Sequence, residues 1–171
     1  MNLCFLNYLN ISHFPPVAPN NQSETIIIIE DSDDHWALMN EAFKYSRPTL
    51  NLIRLRNKSS MLEFLDKCYK ELRPAPQLIL LDLYLPTRKE GLTLLESIRY
   101  FISINNLPET PIIVFSNSPD KKDINACYQR YANAYMVKPT DLSQWPLHLN
   151  SLSYVWKRAI RYPVSNDSRR I

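Results

Sequence analysis

A short apolar run that ends in a single carboxylate constrains this chain more than any other feature. The segment Gln77–Asp82 reads Gln-Leu-Ile-Leu-Leu-Asp, and Pro86 follows four positions later. An unbroken apolar run of this length predicts a strand that is buried on both faces, as strands of parallel sheets are. Asp82 is then expected where the strand leaves the sheet, at its carboxyl end. A carboxylate held there is costly without a positive partner, so another part of the chain should supply one.

Composition limits the classes of protein that this sequence can belong to. A chain of 171 residues with 45% hydrophobic content predicts one domain with a sizeable core. The net charge of +3 is concentrated in residues 151–171, where five basic residues stand against one acidic residue. A basic end on a nearly neutral body predicts a solvated tail rather than a nucleic-acid-binding surface. Gly91 is the only glycine, which excludes a P-loop and a dinucleotide-binding fingerprint.

Cysteine usage and hydropathy address location. Cys4, Cys68 and Cys127 are odd in number and widely spaced, which argues against a disulfide framework and a structural zinc site and fits a reducing cytosol. No apolar run approaches the ~20 residues of a membrane span, and the first residues lack the basic start of a signal peptide. We therefore predict a cytoplasmic domain over residues 24–160, with an extension at 1–23 and a basic tail at 161–171.

Five predicted strands alternate with five predicted helices. The strands are expected at Thr25–Ile29, Asn51–Arg56, Gln77–Asp82, Pro111–Phe115 and Ala134–Val137. Amphipathic helices follow them, and their expected first or capping residues include Ser32 or Asp33, Ser59 or Ser60, Asp120 or Lys121, and Ser143. Such alternation predicts an α/β fold with a doubly wound parallel sheet, right-handed crossovers and helices on both faces. Ligands of such sheets bind outside the carboxyl ends of the strands.

Polar residues follow four of these strands at their carboxyl ends. Glu30 and Asp31 follow the first, Asp82 the third, Ser116 the fourth and Lys138 the fifth. Each has an ordinary explanation when it is taken alone: acids cap helices, serines start turns, and a lysine before a proline is usually exposed. The four positions together, at equivalent ends of one sheet, predict a single functional site. His13, His35 and His148 show no metal-ligand spacing and are predicted to be incidental.

This ordered set resembles the receiver domains of two-component response regulators, including the chemotaxis regulators. Besides the residues above, the resemblance rests on Pro86 after the third strand, Tyr135 in the fifth strand and the dipeptide Lys138-Pro139. It covers residues 24–160. The stretch 131–142, with Trp156 near the end of the last helix, is most similar to stand-alone regulators associated with phytochrome-type kinases. The resemblance implies a flavodoxin-like (βα)5 fold with strand order 2-1-3-4-5.

The resemblance also implies roles for the strand-end residues. Asp82 is expected to be the nucleophile that accepts a phosphoryl group as an acyl phosphate. Lys138 is expected to pair with the phosphoryl oxygens. Ser116 is expected to bind a phosphoryl oxygen through its hydroxyl, and Tyr135 to follow it as the second switch residue. The family also implies a cis peptide bond between Lys138 and Pro139.

A divalent cation is expected at the same site, because a carboxylate approaching a phosphoryl group is opposed by Coulomb repulsion. The resemblance implies Mg²⁺ bound directly by Asp31, Asp82 and the backbone carbonyl of Tyr84, with Glu30 acting through a metal-bound water. Such a site, with few carboxylates, retained waters and a phosphate oxygen, suits Mg²⁺. The side chain of Tyr84 is expected to slow attack by water and so to prolong the life of the phosphoryl group.

The resemblance implies a sensor histidine kinase as the partner, and the similarity to phytochrome-associated regulators favours one of the phytochrome type. No DNA-binding module is expected after Trp156, so the output should be protein contact, including a homodimer through the last two helices and the last strand. Two departures from the family pattern stand out: the loop from Asp82 to Gly91 is one residue longer, and Lys89-Glu90 replaces the usual acid before the glycine. These are expected to affect kinase docking rather than the chemistry.

Two other functions are compatible with the pattern. A degenerate receiver would act as an interaction module without phosphorylation, but such a module has no reason to keep Asp31, Asp82, Ser116 and Lys138 together. An aspartate-nucleophile phosphatase would carry a second acid two residues after the nucleophile, and this chain has Tyr84 there. The phosphorylated regulator is therefore the preferred interpretation.

Overall fold

A five-stranded parallel sheet forms the centre of the computed structural model, which describes residues 24–72 and 74–159, with side chains described up to residue 152. The strands lie in the order β2-β1-β3-β4-β5. All four neighbouring pairs are parallel. The strands are β1 Thr25–Ile29, β2 Asn51–Leu55, β3 Leu78–Leu81, β4 Ile112–Ser116 and β5 Ala134–Val137. The predicted flavodoxin-like fold and its strand order are confirmed.

Helices cover both faces of the sheet. They are α1 Asp33–Ser46, α2 Lys58–Lys67, α3 Arg88–Ile104, α4 Lys121–Tyr128 and α5 Trp145–Ala159, with short 3-10 helices at Tyr69–Glu71 and Leu142–Gln144. Alternate residues of β1 point to opposite faces, as the period of a strand requires. Ile27 and Ile29 belong to the core beneath α2, α3 and α4, whereas Ile26 and Ile28 belong to the core beneath α1 and α5.

Helix caps explain where the helices begin. Ser32 caps α1, as predicted, and accepts a hydrogen bond from the backbone N–H of His35 at 3.3 Å. The prediction that Ser59 or Ser60 begins α2 is wrong. Asn57 is the N-cap residue, and Ser60 is the N3 residue of the capping box that the two form. Asp141, rather than Ser143, caps the 3-10 turn before α5 and accepts from the N–H of Ser143.

The prediction of a cis Lys138–Pro139 bond is wrong: among the described residues, the cis peptide bond joins Leu85 and Pro86. The cis form before proline lies only ~0.5–1 kcal/mol above trans, so sequence alone does not select which X–Pro bond adopts it.

The cysteine spacing argued against a disulfide framework, but it missed one bonded residue. Cys68 is disulfide-bonded, whereas Cys127 is free and buried. An odd number of widely spaced cysteines therefore does not exclude a single disulfide. The side chain of Trp156 and the extension 1–23 lie outside the described residues. None of the helices described is long and apolar enough to cross a membrane.

The single glycine allows α3 to approach the loop that follows β3. Gly91 is buried in the first turns of α3, and a Cβ atom added there would overlap the backbone carbonyl of Leu83. Its backbone does not require a left-handed conformation, since no glycine has a positive φ. The glycine is therefore needed for close approach. It sets the distance between α3 and the segment that leads away from Asp82.

Candidate functional site

The carboxyl ends of four strands meet at one edge of the sheet, as predicted. The backbone N–H of Asp82 donates to the carbonyl of Ile29 at 3.0 Å, and that of Lys138 donates to the carbonyl of Ser116 at 2.8 Å. The parallel ladders therefore continue to the residues that follow the strands. Because these positions are fixed by backbone hydrogen bonds, the side chains of the site project from a rigid frame.

Lys138 is the centre of the site. Its Nζ atom lies 2.7 Å from Oε2 of Glu30 and 2.7 Å from Oδ2 of Asp82. The lysine side chain is 0% exposed, and those of Glu30 and Asp82 are 2% and 9% exposed. This is the positive partner that the isolated carboxylate of Asp82 requires. One ammonium group faces two carboxylates, so the buried group as a whole keeps a negative charge that favours a further cation.

Asp82 is held at the start of the loop that leads to α3. Its Oδ1 atom accepts a hydrogen bond from the backbone N–H of Tyr84 at 3.2 Å, while Oδ2 faces Lys138. Both carboxylate oxygens are thus oriented, and the residue is 8% exposed. The carboxylate is thus held in a defined orientation and keeps a small exposed fraction, which is compatible with a nucleophile.

Asp31 lies at the rim of the site rather than within its buried part. The residue is exposed, and its backbone carbonyl accepts a hydrogen bond from Arg54. The side-chain atoms that lie within 4.8 Å of one another and could hold a metal ion belong to Glu30, His35 and Asp82. The structure therefore brings Glu30 and Asp82 together and places Asp31 beside them, next in the chain to Glu30.

His35 belongs to the site, although the sequence pattern assigned it no role. Its Nδ1 atom lies 3.2 Å from Oε1 of Glu30 and 3.1 Å from Nζ of Lys138, and its ring centroid lies 5.2 Å from that of Trp145 at an interplanar angle of 31°. An ammonium group only donates, so a hydrogen bond from Lys138 requires Nδ1 to accept it. Position in the first turn of α1, directly after the acidic loop, was the signal that could have identified this residue.

Ser116 and Tyr135 are connected through the loop after β4. Ser116 is fully buried, and its hydroxyl accepts from the backbone N–H of Ser118 at 3.3 Å. The hydroxyl of Tyr135 donates to the carbonyl of Ser118 at 2.7 Å. Burial raises the pKa of the Tyr135 phenol above its ordinary value. The two predicted switch residues are therefore both tied to residue 118.

A second polar cluster, centred on Asp123, was not found by sequence analysis. Its carboxylate accepts from the hydroxyl of Tyr84 at 2.9 Å, from that of Ser118 at 2.6 Å and from Nε of Arg88. Burial alone would raise the pKa of Asp123, but the hydrogen bonds from Ser118, Arg88 and Tyr84 hold it below its ordinary value. The same contact with Asp123 raises the pKa of the Tyr84 phenol. The cluster joins the loop after Asp82 to the loop after Ser116.

The donor atoms at this edge suit a hard divalent cation. Glu30, Asp31 and Asp82 offer carboxylate oxygens, and the loop after Asp82 offers backbone carbonyls such as that of Tyr84. Mg²⁺ and Mn²⁺ prefer oxygen ligands of these kinds. The negative charge that remains after Lys138 is paired also favours a cation. The chemistry of the residues present therefore fits the cation that the resemblance implies.

Comparison with known proteins agrees with this arrangement. The family model of the response regulator receiver domain matches residues 26–150. Response regulator Rcp1 of Synechocystis sp. (strain ATCC 27184 / PCC 6803 / Kazusa) is 29% identical over 147 residues, which cover 85% of this chain and 97% of Rcp1.

Two solved structures have the same fold. The phosphorylated cyanobacterial phytochrome response regulator RcpA aligns with a TM-score of 0.70 at 26% identity, covering 83% of this chain and 99% of RcpA. The Mn²⁺-bound form of Rcp1 aligns with a TM-score of 0.68 at 29% identity, covering 82% of this chain and 99% of Rcp1. The predicted similarity to phytochrome-associated regulators is confirmed, and the chain belongs to the family of response regulator receiver domains.

Proposed function

We propose that this protein is a single-domain response regulator in which Asp82 accepts a phosphoryl group from a sensor histidine kinase. The observation that carries the proposal is the buried ammonium of Lys138, held 2.7 Å from both Asp82 and Glu30. A structural ion pair needs one carboxylate, whereas a phosphoryl-transfer site needs a nucleophile, a cation for the phosphoryl oxygens and a spare negative charge for a metal.

The proposed reaction uses groups that the site already contains. An oxygen of Asp82 attacks the phosphorus of a phosphohistidine, the P–N bond breaks, and an acyl phosphate forms while the imidazole takes up a proton. The ammonium of Lys138 exchanges its contact with Asp82 for one with a phosphoryl oxygen. Water then hydrolyses the acyl phosphate, which releases inorganic phosphate and restores the carboxylate of Asp82. The protein would therefore catalyse only its own phosphorylation and dephosphorylation.

Mg²⁺ is the proposed cofactor. Asp31, Asp82 and the carbonyl of Tyr84 would hold it, with Glu30 acting through a water ligand. When bound, it neutralises the negative charge of the phosphoryl group and the carboxylates during transfer. Glu30 keeps the pair with Lys138 in either state, so the ammonium remains beside the reacting group.

Ser116 and Tyr135 are the proposed switch. A hydroxyl that accepts from the N–H of Ser118 can turn to donate to a phosphoryl oxygen, which releases that N–H. The hydroxyl of Tyr135 donates to the backbone carbonyl of the same residue, Ser118. A movement of Ser116 can therefore shift Tyr135, which lies in β5, through Ser118 alone. Such a switch is a two-state element biased by a local change of charge.

The output is proposed to be protein contact. Exposed apolar side chains of α4, β5, the 3-10 helix after β5 and the start of α5 offer a surface for a homodimer, namely Tyr128, Val137, Leu142 and Leu147. The kinase is proposed to be of the phytochrome type, and the location cytoplasmic. The receiver domain is proposed to extend over 24–160, between the extension 1–23 and the tail 161–171.

Tyr84, 43% exposed and anchored on Asp123, is proposed to shield the acyl phosphate from water.

Intact-mass spectrometry after incubation with acetyl phosphate and Mg²⁺ tests the proposal. We expect one added phosphoryl group on the native chain, none on Asp82→Asn, and none when a chelator is added beforehand. Analytical ultracentrifugation of the same samples then tests whether phosphorylation promotes the dimer. The absence of a mass shift, together with the absence of Mg²⁺ binding, would instead identify an interaction module that is not phosphorylated.

A further inference from the structure

We propose that Arg54 is a positioning residue for the cation site: it holds the backbone of Glu30 and Asp31, the two acidic residues after β1 that are proposed to bind the cation. The inference rests on the proposed function, since it concerns the Mg²⁺ ligands named there. Arg54 lies in β2, at the edge of the sheet, and its hydrogen bonds with Glu30 and Asp31 are made to their backbone carbonyls.

The guanidinium group of Arg54 makes three directed contacts with the acidic loop. Nε donates to the backbone carbonyl of Glu30 at 3.1 Å, and Nη2 donates to the backbone carbonyl of Asp31 at 3.0 Å. Nη1 donates to Oδ1 of Asp33 at 2.6 Å. One planar group thus donates hydrogen bonds to two consecutive backbone carbonyls and to the carboxylate of the first residue of α1. Lysine cannot reproduce this rigid, forked arrangement of donors.

Fixing these carbonyls fixes the backbone from which the two side chains project. The orientation of a carbonyl is set by the ψ angle of its own residue, so the two hydrogen bonds determine ψ at Glu30 and Asp31. On the other side of the loop, Oε1 of Glu30 accepts from the N–H of Ser32 at 3.1 Å. The peptide units around Asp31 are therefore held from both sides. An exposed carboxylate is then presented by an ordered backbone rather than by a mobile loop.

Arg54 is itself immobilised. Its side chain is 11% exposed, and its guanidinium lies 5.5 Å from the ring centroid of Trp36 in α1. Arginine stacks well on aromatic faces, and the planar group loses little further entropy when it donates. Trp36 thus makes a specific contact with this arginine.

Electrostatics alone predicts the opposite role for Arg54. A positive group next to a cation site repels the cation, so removing the charge should tighten Mg²⁺ binding. If the arginine positions the ligands, removing it should weaken Mg²⁺ binding despite that gain. The sign of the change therefore separates positioning from a simple effect of charge.

Arg56 provides a matched control on the same strand end. Its Nη2 atom also donates to Oδ1 of Asp33, at 2.7 Å, and its side chain is 53% exposed. No hydrogen bond from Arg56 to the carbonyls of Glu30 or Asp31 occurs among the described residues. Replacing Arg56 removes one positive charge from the same carboxylate without touching the backbone that Arg54 holds.

Calorimetric titration of the full chain with Mg²⁺, at constant ionic strength, is the test. We expect Arg54→Lys and Arg54→Met to raise the dissociation constant for Mg²⁺ by about tenfold, the lower end of the range for residues that orient metal ligands. Arg56→Met should leave it within about twofold. Thermal unfolding in the presence of a chelator, measured on every variant, separates a loss of folding from a loss of affinity.

The outcomes decide between the alternatives. Dissociation constants that stay the same or fall in folded Arg54 variants would overturn the inference, and so would an equal loss in Arg56→Met. Phosphorylation by acetyl phosphate separates this inference from the proposed function. We expect Arg54→Lys to need more Mg²⁺ for half-maximal rate while its rate at saturating Mg²⁺ stays near that of the native chain. A native chain that binds Mg²⁺ with the expected dependence on Arg54 but is never phosphorylated would leave the inference standing and refute the proposed function.

Discussion

Nζ of Lys138 lies 2.7 Å from Oδ2 of Asp82, although the strand β4 separates the strands that carry the two residues. The Nζ atom also lies 5.9 Å from the ring centroid of Phe115, near the end of β4. A long, flexible side chain is needed to span this distance, and the ammonium at its end is compact enough to face two carboxylates. The fold thus brings charges from β1, β3 and β5 to one point.

Replacing Lys138 by methionine should destabilise the protein. The change leaves the buried carboxylates of Glu30 and Asp82 without their cation, and removing one partner of a buried ion pair typically costs about 3–5 kcal/mol. We expect the free energy of unfolding, measured by urea denaturation, to fall by about 3 kcal/mol for Lys138→Met. The double variant Lys138→Met/Asp82→Asn should recover part of this loss, because it removes one of the stranded charges.

Lys67 supplies the control for that prediction. It pairs with Glu63 at 2.8 Å on the surface of α2, and both side chains are more than half exposed. Lys67→Met should change the free energy of unfolding by less than about 0.5 kcal/mol. Equal effects at the two lysines would show that the pair at Lys138 contributes no more than an exposed one.

The strand-end residues could be predicted from the sequence, and the residues that orient them could not. Four isoleucines before Glu30 and the apolar run before Asp82 mark strands, and parallel strands place their carboxyl ends at one edge. The acidic residues and Lys138 could therefore be located one or two residues beyond a strand, and Ser116 at the last residue of one.

His35, Arg54 and Asp123 escaped prediction because they reach the site from elements whose sequence shows only helix or strand periodicity. Arg54 occupies a position in β2 that looks like an ordinary exposed arginine, and its role depends on the distance between β2 and the loop after β1. Asp123 lies in the first turn of α4, where an acid is expected simply for its interaction with the helix dipole. The roles of these residues depend on contacts between elements that are far apart in the chain, and a single sequence does not reveal those contacts.

Gly91→Ala should disturb the connection between α3 and the loop after Asp82. The added methyl group would overlap the backbone carbonyl of Leu83, and backbone cannot rotate away as a side chain can. Alanine is otherwise the better helix former, so a gain of up to about 1 kcal/mol would be expected in an open helix. We expect instead a loss of at least about 2 kcal/mol in urea denaturation, as for other overpacked sites.

The matched change for Gly91 is Lys89→Ala, at an exposed position of the same helix. It should leave stability within about 0.5 kcal/mol. Gly91→Ala should also lower the rate of phosphorylation by acetyl phosphate, because Leu83 directly follows Asp82. A variant at Gly91 that is as stable and as reactive as the native chain would contradict the close approach.

Cys127 should be unreactive in the folded protein. Burial raises the pKa of its thiol to about 11, and the nearby carboxylate of Asp123 acts in the same direction. At a pH of about 8, only roughly one thiol in a thousand is then ionised, and the thiolate is the form that reacts. Alkylation by iodoacetamide, followed by peptide mass mapping without reduction, should show labelling of Cys127 only after unfolding in urea. Rapid labelling of the native chain would show that the thiol is exposed or ionised.

Asp123→Asn should separate the loop after Asp82 from the loop after Ser116. The amide keeps the size of the carboxylate but loses its negative charge and one of the two oxygens that accept hydrogen bonds from Tyr84, Ser118 and Arg88. Hydrogen bonds to a charged group contribute about 1.5–3 kcal/mol each when they are buried, so we expect a loss of about 2 kcal/mol in the free energy of unfolding near neutral pH. In ¹³C spectra of labelled tyrosine, the pKa of the Tyr84 phenol should move down toward its ordinary value, because the acceptor that raises it is no longer charged.

The dependence on pH gives this prediction a direction. The pKa of Asp123 in the folded protein lies below its ordinary value of 3.8, so its stabilising effect is complete above that value and is lost as the pH falls through the folded pKa. We expect the difference in unfolding free energy between the native chain and Asp123→Asn to be constant near neutral pH and to shrink in acid, from about pH 4 downward. Arg88→Gln, which removes one donor but keeps the carboxylate, should reduce the size of this acid effect without abolishing it. A difference that does not change with pH would show that the carboxylate of Asp123 contributes through its shape rather than through its charge.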